Sequence, residues 1–407
     1  MECFKIGILG SVDSGKSTFV GVLKTNKFDD GRGLLRKYVM KHNHELESGR
    51  TSCISYNTIT INNKLFNFVD LAGHESYLKT TIYGLNALHL NHVVIIVGAN
   101  MGINKITEEH YNLASVLKLP ITFVINKIDL CPENVLNNTI KDLNRLTRNK
   151  LHIIKNYNDE SYIINNEKYD TFLNSNKTGF GIDNIRKYLC NLHNNFVLNL
   201  HNEFNNTNKN NNENTYIIQE TYNIKGIGIV FYGYQKSGTI KKNDILKIGP
   251  FGNQFYNISI RNIRNVIEKD VDILKTGELG CLAIKQLNKD FNFKREHIRK
   301  GLYITNNPFC CNEFIAKIYI LHHPTTIKEN YQSTIHCGSV IQAAKITEII
   351  NIKKNVNSDK KLLRTGDQAK VKFKFLFKPE FIENETMFIF RENNAKGVGK
   401  IINTITN

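Results

Sequence analysis

The stretch that decides the fold is FKIGILG (Phe4–Gly10) running directly into GSVDSGKST (Gly10–Thr18). The first part is a continuous apolar run typical of a buried strand, and the second fulfils G-x-x-x-x-G-K-[ST] at the start of a helical pattern. Its two glycines let backbone amides converge on phosphate oxygens, and the helix N-terminus adds partial positive charge. Lys16 is placed to reach the β- and γ-phosphates, and Ser17 to ligate Mg²⁺. The predicted phosphate-binding residues are Gly10, Ser11, Val12, Asp13, Ser14, Gly15, Lys16, Ser17 and Thr18.

Short apolar runs alternate with helical patterns over residues 1–197. HVVIIVGA (His92–Ala99) and ITFVIN (Ile121–Asn126) are rich in β-branched residues, as expected of parallel strands covered on both faces. Helical periodicity is expected over residues 16–27, 105–117 and 133–148. This alternation predicts an α/β fold with a doubly wound, mostly parallel sheet.

A second motif, NKID, ends one of these predicted strands and addresses the choice of base. Guanine offers two donors, its N1–H and its exocyclic amine, which the carboxylate of Asp129 can accept together. Adenine would leave that carboxylate unpaired, which carries a penalty. Asn126 can join this loop to the phosphate loop, and the stem of Lys127 can cover one face of the ring. Because NKID follows a phosphate loop in the sequence, the two motifs together predict that the domain binds a guanine nucleotide.

Between these motifs, DLAGH closes another predicted strand. Asp70 is placed to hold Mg²⁺ through water, and the amide of Gly73 can sense the γ-phosphate. His74 follows at once and is expected to orient the attacking water, although an isolated histidine is more often structural. Further along, LNSNKTGFG occupies the place of a further nucleotide-contacting loop, with backbone amides near the guanine carbonyl. Its predicted contact residues are Ser175, Asn176 and Lys177.

The pattern changes after residue 197. Residues 198–214 form an Asn-rich stretch without periodicity, which predicts a linker or an insertion rather than a core element, and we favour a linker. Beyond it, short alternating strands are separated by Gly, Asn, Lys and Asp turns, the pattern of β-barrels. The expected domains are a nucleotide-binding domain at 1–197, the linker at 198–214, one barrel at 215–305 and a second barrel at 306–407.

Charge and composition narrow the class of protein. The formal net charge is +17, and residues 1–200 carry 23 basic and 18 acidic side chains against 31 and 19 in residues 201–407. An excess of this size attracts polyanions, although basic surfaces also serve solubility. No apolar run approaches the length of a spanning helix, no secretory signal is evident, and the eight cysteines contain no C-x-x-C. We therefore expect a cytoplasmic protein (host cytoplasm if it is viral) without membrane partners.

The ordered motifs resemble those of the translational GTPases, the superfamily that includes elongation factor Tu. Longer segments narrow the resemblance to the GTP-binding protein 1/2 branch. They are DDGRGLLRKYVMKHNHELESGRTS (Asp29–Ser52), VDLAGHESYLKTTIYGL (Val69–Leu85), INKIDLCP (Ile125–Pro132), LHHPTTIKENYQSTIHCGSVIQ (Leu321–Gln342) and LRTGDQAKVKFKF (Leu363–Phe375). The resemblance implies a GTP-binding domain followed by two β-barrels.

The same resemblance implies roles for individual residues. Asp13 resembles the acidic residue that helps hold a monovalent cation, and Val12 one half of the apolar gate beside His74. Thr51 resembles the first-switch threonine that ligates Mg²⁺ in the GTP state. The usual R-G-I-T-I is replaced here by Gly-Arg-Thr-Ser-Cys at 49–53, so either Thr51 or Ser52 could be this ligand, and we favour Thr51.

These observations predict a Mg²⁺-dependent switch that hydrolyses GTP to GDP and phosphate, with Lys16 and His74 as its catalytic residues. No arginine is identifiable as part of the site, so intrinsic turnover should be slow, with a large partner completing the site. The resemblance implies that the barrels hold aminoacyl-tRNA and engage the ribosome, with messenger-RNA surveillance or decay as a related role. The alternatives are a GTP-gated adaptor for RNA-decay proteins, an accessory GTPase resembling the regulatory subunit of ATP sulfurylase, or a scaffold without turnover. We expect a monomer.

Overall fold

The computed structural model describes residues 2–40, 54–157, 167–206, 213–287, 294–353, 362–392 and 395–405. The chain divides into two compact units, Met1–Leu85 with His89–Asn206, and Thr207–Asn407 with Asn86–Leu88. The switch residues predicted at Thr51 and Ser52 lie outside the described residues.

A seven-stranded sheet forms the centre of the first unit. Its strands are β1 (Cys3–Leu9), β2 (Ser55–Ile61), β3 (Lys64–Asp70), β4 (His92–Gly98), β5 (Ile121–Asn126), β6 (Leu151–Ile154) and β7 (Tyr169–Leu173). They lie in the order β2-β3-β1-β4-β5-β7-β6, and every pair is parallel except the antiparallel β2–β3 pair. Strands β1, β4 and β5 are buried along their whole lengths, because both faces of the sheet are covered. The predicted α/β domain is confirmed.

Five α-helices accompany this sheet in the part of the chain that the structure describes. They are α1 (Lys16–Thr25), α2 (Leu78–Ala87), α3 (Lys105–Val116), α4 (Glu133–Leu146) and α5 (Ile182–Asn206). The three helices expected from periodicity are α1, α3 and α4, and each ends within two residues of its predicted end. Asn104 caps α3 by accepting a hydrogen bond from the amide of Thr107 at 2.9 Å. Among the described helices, none is both long and apolar enough to cross a membrane.

The end of α5 corrects the predicted linker, because residues 198–206 are helical rather than irregular. The first turns of α5 are anchored by buried side chains such as Ile185 and Leu189, and Phe196 packs against the same core. Once a helix is nucleated, each further residue adds a hydrogen bond, and this gain offsets the modest helix propensity of asparagine. The sequence pattern could not show this continuation because the helical segment beyond residue 197 is rich in asparagine.

The second unit contains two antiparallel barrels. The segment that forms the first contains β8 (Thr215–Ile224), β9 (Gly228–Ser237), β10 (Thr239–Lys241), β11 (Ile245–Phe251), β12 (Gln254–Asn265), β13 (Asp270–Val271), β14 (Ile273–Lys275), β15 (Leu279–Gln286) and β16 (Tyr303–Thr305). Of these strands, β10 and β14 pair with each other in a separate two-stranded sheet, and β13 pairs with β12 alone. The strands of the second barrel are β17 (Glu313–His322), β18 (Gln332–Cys337), β19 (Val340–Lys353), β20 (Gln368–Phe375), β21 (Met387–Glu392) and β22 (Ala395–Ile405).

Each barrel closes through six strands. In the first the order is β11-β16-β8-β9-β15-β12, and pairing of β11 with β12 completes the ring. In the second the order is β17-β20-β19-β18-β21-β22. The two predicted barrels are therefore confirmed, and the seam expected near residue 305 falls between the end of β16 and the start of β17.

Side chains from both barrels form one buried cluster within the second unit. The rings of Tyr303 and Phe309 each lie 4.3 Å from that of Phe381, measured between centroids. Beside them, the guanidinium of Arg299 pairs with the carboxylate of Glu380, which is 1% exposed. Burial of a carboxylate is costly unless it is paired, so this contact favours one arrangement of the two barrels over others.

In the first unit, the chain after α1 packs tightly against that helix. Residues Leu34–Tyr38 form a 3₁₀ turn. A Cβ atom at Gly21, inside α1, would lie 2.5 Å from the backbone oxygen of Leu35. Glycine is therefore required at this position by the close approach of two backbones.

We predict that Gly21→Ala destabilises the protein by about 1–3 kcal/mol, because the new methyl group meets a backbone carbonyl that cannot move freely. Helix propensity alone predicts the opposite sign, a gain of about 1 kcal/mol. Urea unfolding measures the difference. Asn138→Ala, at an exposed position within α4, is the matched control and should be slightly stabilising; a stabilised Gly21→Ala variant would contradict the packing argument.

Candidate nucleotide-binding site

The phosphate loop follows β1 and precedes α1, as the sequence predicts. Gly10 has φ +139° and Gly15 has φ +91°, values that favour glycine. A Cβ at Gly10 would lie 2.2 Å from the oxygen of Ile96, and one at Gly15 would lie 2.3 Å from Nδ2 of Asn126. The phosphate loop fits against the backbone of β4 and the side chain of Asn126 only because Gly10 and Gly15 lack side chains.

A buried histidine supports this loop from behind. Nδ1 of His110, in α3, accepts a hydrogen bond from the amide of Gly10 at 3.2 Å. Burial, assisted by the positive charge of Lys16, lowers the pKa of His110 to about 3 and keeps the ring neutral. The sequence analysis missed this residue, because nothing in the pattern of α3 indicates which of its side chains reaches the phosphate loop.

Oxygen ligands suited to Mg²⁺ meet at the phosphate end of the site. Oγ of Ser17 donates a hydrogen bond to Oδ2 of Asp70 at 2.6 Å, and the Asp70 side chain is fully buried. A hydroxyl and a carboxylate are the donor types that Mg²⁺ prefers, so these two residues fit the predicted ion. The third predicted ligand, Thr51, lies outside the described residues.

The ammonium of Lys16 lies beside these ligands. Nζ of Lys16 donates to the oxygen of Ser11 at 2.8 Å. Burial lowers the pKa of Lys16, while the carboxylates of Asp70 and Asp13 act in the opposite direction. A Cβ at Gly73 would lie 2.5 Å from Nζ of Lys16, so a side chain there would fill the space beside the ammonium. An incoming phosphate can therefore reach both Lys16 and the amide of Gly73.

At the base end, three asparagine amides form a ring that holds the phosphate loop. Nδ2 of Asn126 donates to the oxygen of Ser14 at 2.9 Å, and Nδ2 of Asn176 donates to the oxygen of Gly15 at 3.3 Å. Asn174 closes the ring by donating to Oδ1 of Asn126 at 2.8 Å and to Oδ1 of Asn176 at 2.9 Å. Asn174 was not among the predicted residues, although it lies directly before the predicted loop.

Ser175 has a different role from the one predicted. Its amide donates to the oxygen of Phe180 at 3.0 Å and is therefore engaged within the loop rather than directed at a base. Its hydroxyl donates to Oδ1 of Asp129 at 2.5 Å. Ser175 thus orients the carboxylate that is expected to read guanine, while its own side chain is fully buried.

The two ends of the site open into one cavity of about 260 Å³. Twelve of the predicted residues line it: Val12, Asp13, Gly15, Lys16, Ser17, Thr18, Gly73, Asn126, Lys127, Asp129, Asn176 and Lys177. Six others lie outside this lining: Gly10, Ser11, Ser14, Asp70, His74 and Ser175. Gly10, Ser11 and Ser14 shape the loop from within, since Oγ of Ser14 donates to the oxygen of Ser11 at 2.9 Å.

The segment after α1 contributes lining residues that the sequence analysis missed: Asp29, Gly31, Arg32, Gly33, Arg36 and Met40, with Leu130 from the guanine loop. The carboxylate of Asp29 accepts the amides of Gly31 and Gly33 at 2.9 Å and that of Leu35 at 3.1 Å. The amide of Asp29 donates to the oxygen of Asn176 at 2.9 Å, which joins this segment to the loop after β7.

Two arginines, at positions 32 and 36, therefore line the nucleotide cavity, whereas the sequence analysis identified no arginine in the site. The feature of the sequence that could have indicated these arginines is DDGRG (29–33), in which glycines lie between acidic and basic residues. Gly31 and Gly33 adopt left-handed conformations, with φ of +87° and +82°. The carboxylate of Asp29 stabilises the backbone at both glycines by accepting their amides. Their conformation could not be read from the residue types alone.

His74 is not part of the cavity lining. Its Nδ1 accepts a hydrogen bond from the amide of Ser76 at 3.2 Å, and its ring centroid lies 6.0 Å from that of Tyr77. This bond leaves Nε2 as the nitrogen that can face a water molecule.

The fold and the cavity together define a P-loop protein for guanine nucleotides that is followed by two β-barrels. Sequence profiles agree: residues 1–201 match the Elongation factor Tu GTP binding domain, and residues 308–405 match the Elongation factor Tu C-terminal domain. The chain belongs to the translational GTPase family, in the branch of GTP-binding proteins 1 and 2, as the resemblance of its motifs indicated.

Individual relatives support this membership. The chain is 33% identical to GTP-binding protein 1 of Xenopus laevis over 98% of its own length and 62% of that protein, and 31% identical to GTP-binding protein 2 of Homo sapiens over 98% and 68%. It therefore spans less than two thirds of the Xenopus protein. Elongation factor SelB from Methanococcus maripaludis, solved with the GTP analogue GppNHp, has the same fold, with a TM-score of 0.71, 19% identity and coverage of 100% of this chain and 80% of SelB.

We predict that His110→Ala weakens both folding and nucleotide binding, because the buried amide of Gly10 loses its acceptor, at a cost of about 1–3 kcal/mol. His110→Asn, which keeps an acceptor, should lose less. Urea unfolding and titration with a fluorescent GDP measure the two effects. If His110→Ala binds GDP as tightly as wild type does, this histidine has no part in holding the loop.

His110 should also affect the dependence of stability on pH. An unfolded histidine titrates near pH 6.5, whereas His110 in the folded protein has a pKa of about 3. Between these values the unfolded state binds a proton that the folded state does not, so stability falls as the pH is lowered. His110→Asn should therefore reduce the slope by about 1.4 kcal/mol per pH unit across this window, measured by urea unfolding at successive pH values. His322→Asn, at an exposed position, is the control.

Proposed function

We propose that the chain is a Mg²⁺-dependent switch that binds GTP and hydrolyses it to GDP and phosphate. The observation that carries this proposal is the single cavity in which Lys16 and Gly73 stand at one end and Asp129 at the other. A nucleoside triphosphate bound there places its charged end on the phosphate loop and its base beside the carboxylate. Family membership supports the same activity.

The residues of the chain act mainly by position and charge. Lys16 and the amides of the phosphate loop draw negative charge from the transferring phosphoryl group, and Asp129 holds the guanine so that the phosphates are aligned. Ser17 and Asp70 would hold Mg²⁺, which neutralises charge on the phosphates when it is bound. Asp13, which lines the cavity with φ +61°, is the residue proposed to help hold a monovalent cation.

Hydrolysis requires that a water molecule be aligned with the terminal phosphate, and we assign this step to His74. Its Nδ1 is engaged by the amide of Ser76, so Nε2 is the nitrogen that would orient the water. A bound γ-phosphate can hold the neighbouring amide of Gly73 in place, and its loss would release the segment after β3. This change supplies the two states of the switch.

His74→Ala is predicted to keep the affinity for GTP, since His74 does not line the cavity, but to lose hydrolysis stimulated by ribosomes. The expected loss is about 10²–10⁴-fold, the usual contribution of a positioned acid–base or water-orienting group. Single-turnover phosphate release with and without ribosomes measures it, and His152→Ala is the control. An unchanged stimulated rate would remove His74 from the reaction.

For the biological role we infer an RNA partner, with aminoacyl-tRNA and the ribosome as the favoured ligands, acting in the cytoplasm. The support is membership of the translational GTPases, the two barrels and the positive charge of the second half of the chain. Messenger-RNA surveillance remains part of this proposal as a related role of the same switch. We also propose that the protein acts as a monomer.

Filter binding of charged and uncharged tRNA tests this role. With a non-hydrolysable GTP analogue, the protein should retain charged tRNA more tightly than uncharged tRNA, and GDP should abolish the preference. Equal retention of both tRNAs in both nucleotide states would contradict delivery and favour an adaptor that uses GTP only to time its binding to other proteins.

A further inference from the structure

Three lysines stand side by side on the outer surface of the second barrel. Lys317, in β17, lies directly opposite Lys370 of β20 on one side and Lys400 of β22 on the other. All three side chains are exposed, whereas the alternate residues of β17 on either side, Ala316 and Ile318, are buried in the barrel. Strand register, rather than sequence proximity, brings these charges together.

This arrangement is unfavourable in the absence of a ligand. Residues directly opposite each other on neighbouring strands have Cβ atoms about 4.5–5.5 Å apart, and like charges in such pairs destabilise a sheet. Lys400 has a counterion in Glu385. Within the described ranges of the chain, neither Lys317 nor Lys370 forms an ion pair. Lys317 at the centre of the row and Lys370 at one end therefore have no carboxylate partner among the described residues, and both can interact with a ligand outside the barrel.

Other lysines of the same strand are compensated. Lys372 and Lys374, farther along β20, both pair with Glu313 of β17, at 2.6 Å and 3.3 Å. A carboxylate therefore neutralises the lysines farther along β20, whereas none pairs with Lys317 among the described residues. An uncompensated centre is what a surface that binds an anion requires.

An aromatic side chain extends the row. Tyr319 is the next outward residue of β17 after Lys317, is 38% exposed, and lies opposite Gln368 of β20. Cations that contact phosphates, combined with an aromatic ring on which a base can stack, are typical of surfaces that bind single-stranded or looped RNA. An acidic protein would offer charge to the lysines but has no comparable use for the ring.

The most basic run in the sequence is a weaker candidate. KREHIRK (294–300) contains Arg299, which pairs with Glu380, and Lys300, which pairs with Glu220 at 2.6 Å. Much of its charge is therefore engaged within the second unit. The two remaining cations of the run, Lys294 and Arg295, are followed directly by Glu296, whereas Lys317 and Lys370 lie opposite each other with no carboxylate partner among the described residues.

We propose that this surface, the lysine face formed by Lys317, Lys370, Lys400 and Tyr319, binds the phosphate backbone of RNA. The proposal deepens the RNA-dependent role given above and rests on it. The cations contribute affinity that depends on salt, because each phosphate contact releases condensed counterions, and Tyr319 contributes stacking that does not.

The test compares the full chain with its Lys317→Gln/Lys370→Gln variant in binding labelled tRNA at increasing KCl concentration, followed by fluorescence anisotropy. Each phosphate contact to a single strand contributes about 0.7 to the slope of log affinity against log salt, so loss of two contacts should lower that slope by about 1.4. If the two proteins bind equally at about 1 M KCl, the variant should bind about 25-fold more weakly than wild type at about 0.1 M KCl. Tyr319→Leu should weaken binding to single-stranded RNA about tenfold without changing the slope.

The matched control is Lys247→Gln/Lys285→Gln. These exposed lysines lie on strands of the first barrel, opposite the neutral residues Asn257 and Ser259, so this variant makes the same change in net charge elsewhere. It should retain the wild-type slope. An equal loss in both variants would show that net charge, not the lysine face, attracts RNA, and would overturn the proposal.

Unfolding and GTP binding separate the remaining outcomes. Relief of like-charge repulsion should move the urea midpoint of the Lys317→Gln/Lys370→Gln variant upward while GTP affinity stays unchanged, so weak RNA binding cannot be ascribed to misfolding. If the Lys317→Gln/Lys370→Gln variant keeps the wild-type slope of log affinity against log salt, the assignment of RNA binding to the lysine face is wrong, while the proposed role of the protein stands. Wild-type protein that binds no RNA overturns the proposed role as well. Loss of binding to polyglutamate, with RNA binding retained, would assign the surface to an acidic protein instead.

Discussion

The ring of amides from Asn126, Asn174 and Asn176 is the constraint on which the nucleotide site depends. It holds two adjacent carbonyls of the phosphate loop, those of Ser14 and Gly15, from the side of the guanine loops. Because Asn126 ends β5 and the other two asparagines follow β7, the sheet fixes the distance between the base end and the phosphate end of the cavity. Phosphate and base are thereby bound by one connected set of hydrogen bonds, with His110 supporting the loop from α3.

The sequence predicted those parts of the site whose chemistry is local. The phosphate loop, DLAGH and NKID each join a buried strand to polar residues of fixed spacing, so their positions follow once the parallel sheet is recognised. His110 and Arg36 could not be found in this way, because their roles depend on which side of a helix or turn faces the cavity. Ser175 was predicted as a contact of the base, whereas its bonding partner is Asp129, a pairing set by the approach of two distant loops.

The barrels show the same limit in another form. Alternating strands and turns predicted two barrels and their approximate seam, since closure is the usual solution for antiparallel sheets of this length. The register between strands was not predictable, and register decides which charges become neighbours. The run KREHIRK is basic in the sequence but is partly neutralised by carboxylates from distant strands, whereas Lys317 and Lys370 are 53 residues apart and adjacent in the sheet.

The bond between the amide of Asp29 and the oxygen of Asn176 has a consequence for nucleotide release. It joins the beginning of the segment after α1 to the loop that lines the base end of the cavity with Asn176 and Lys177. Departure of the terminal phosphate removes contacts at the opposite end of the cavity and leaves this bond in place. The base end of the site is therefore expected to stay closed around GDP, and a factor that accelerates nucleotide exchange would have to act on the contact between Asp29 and Asn176.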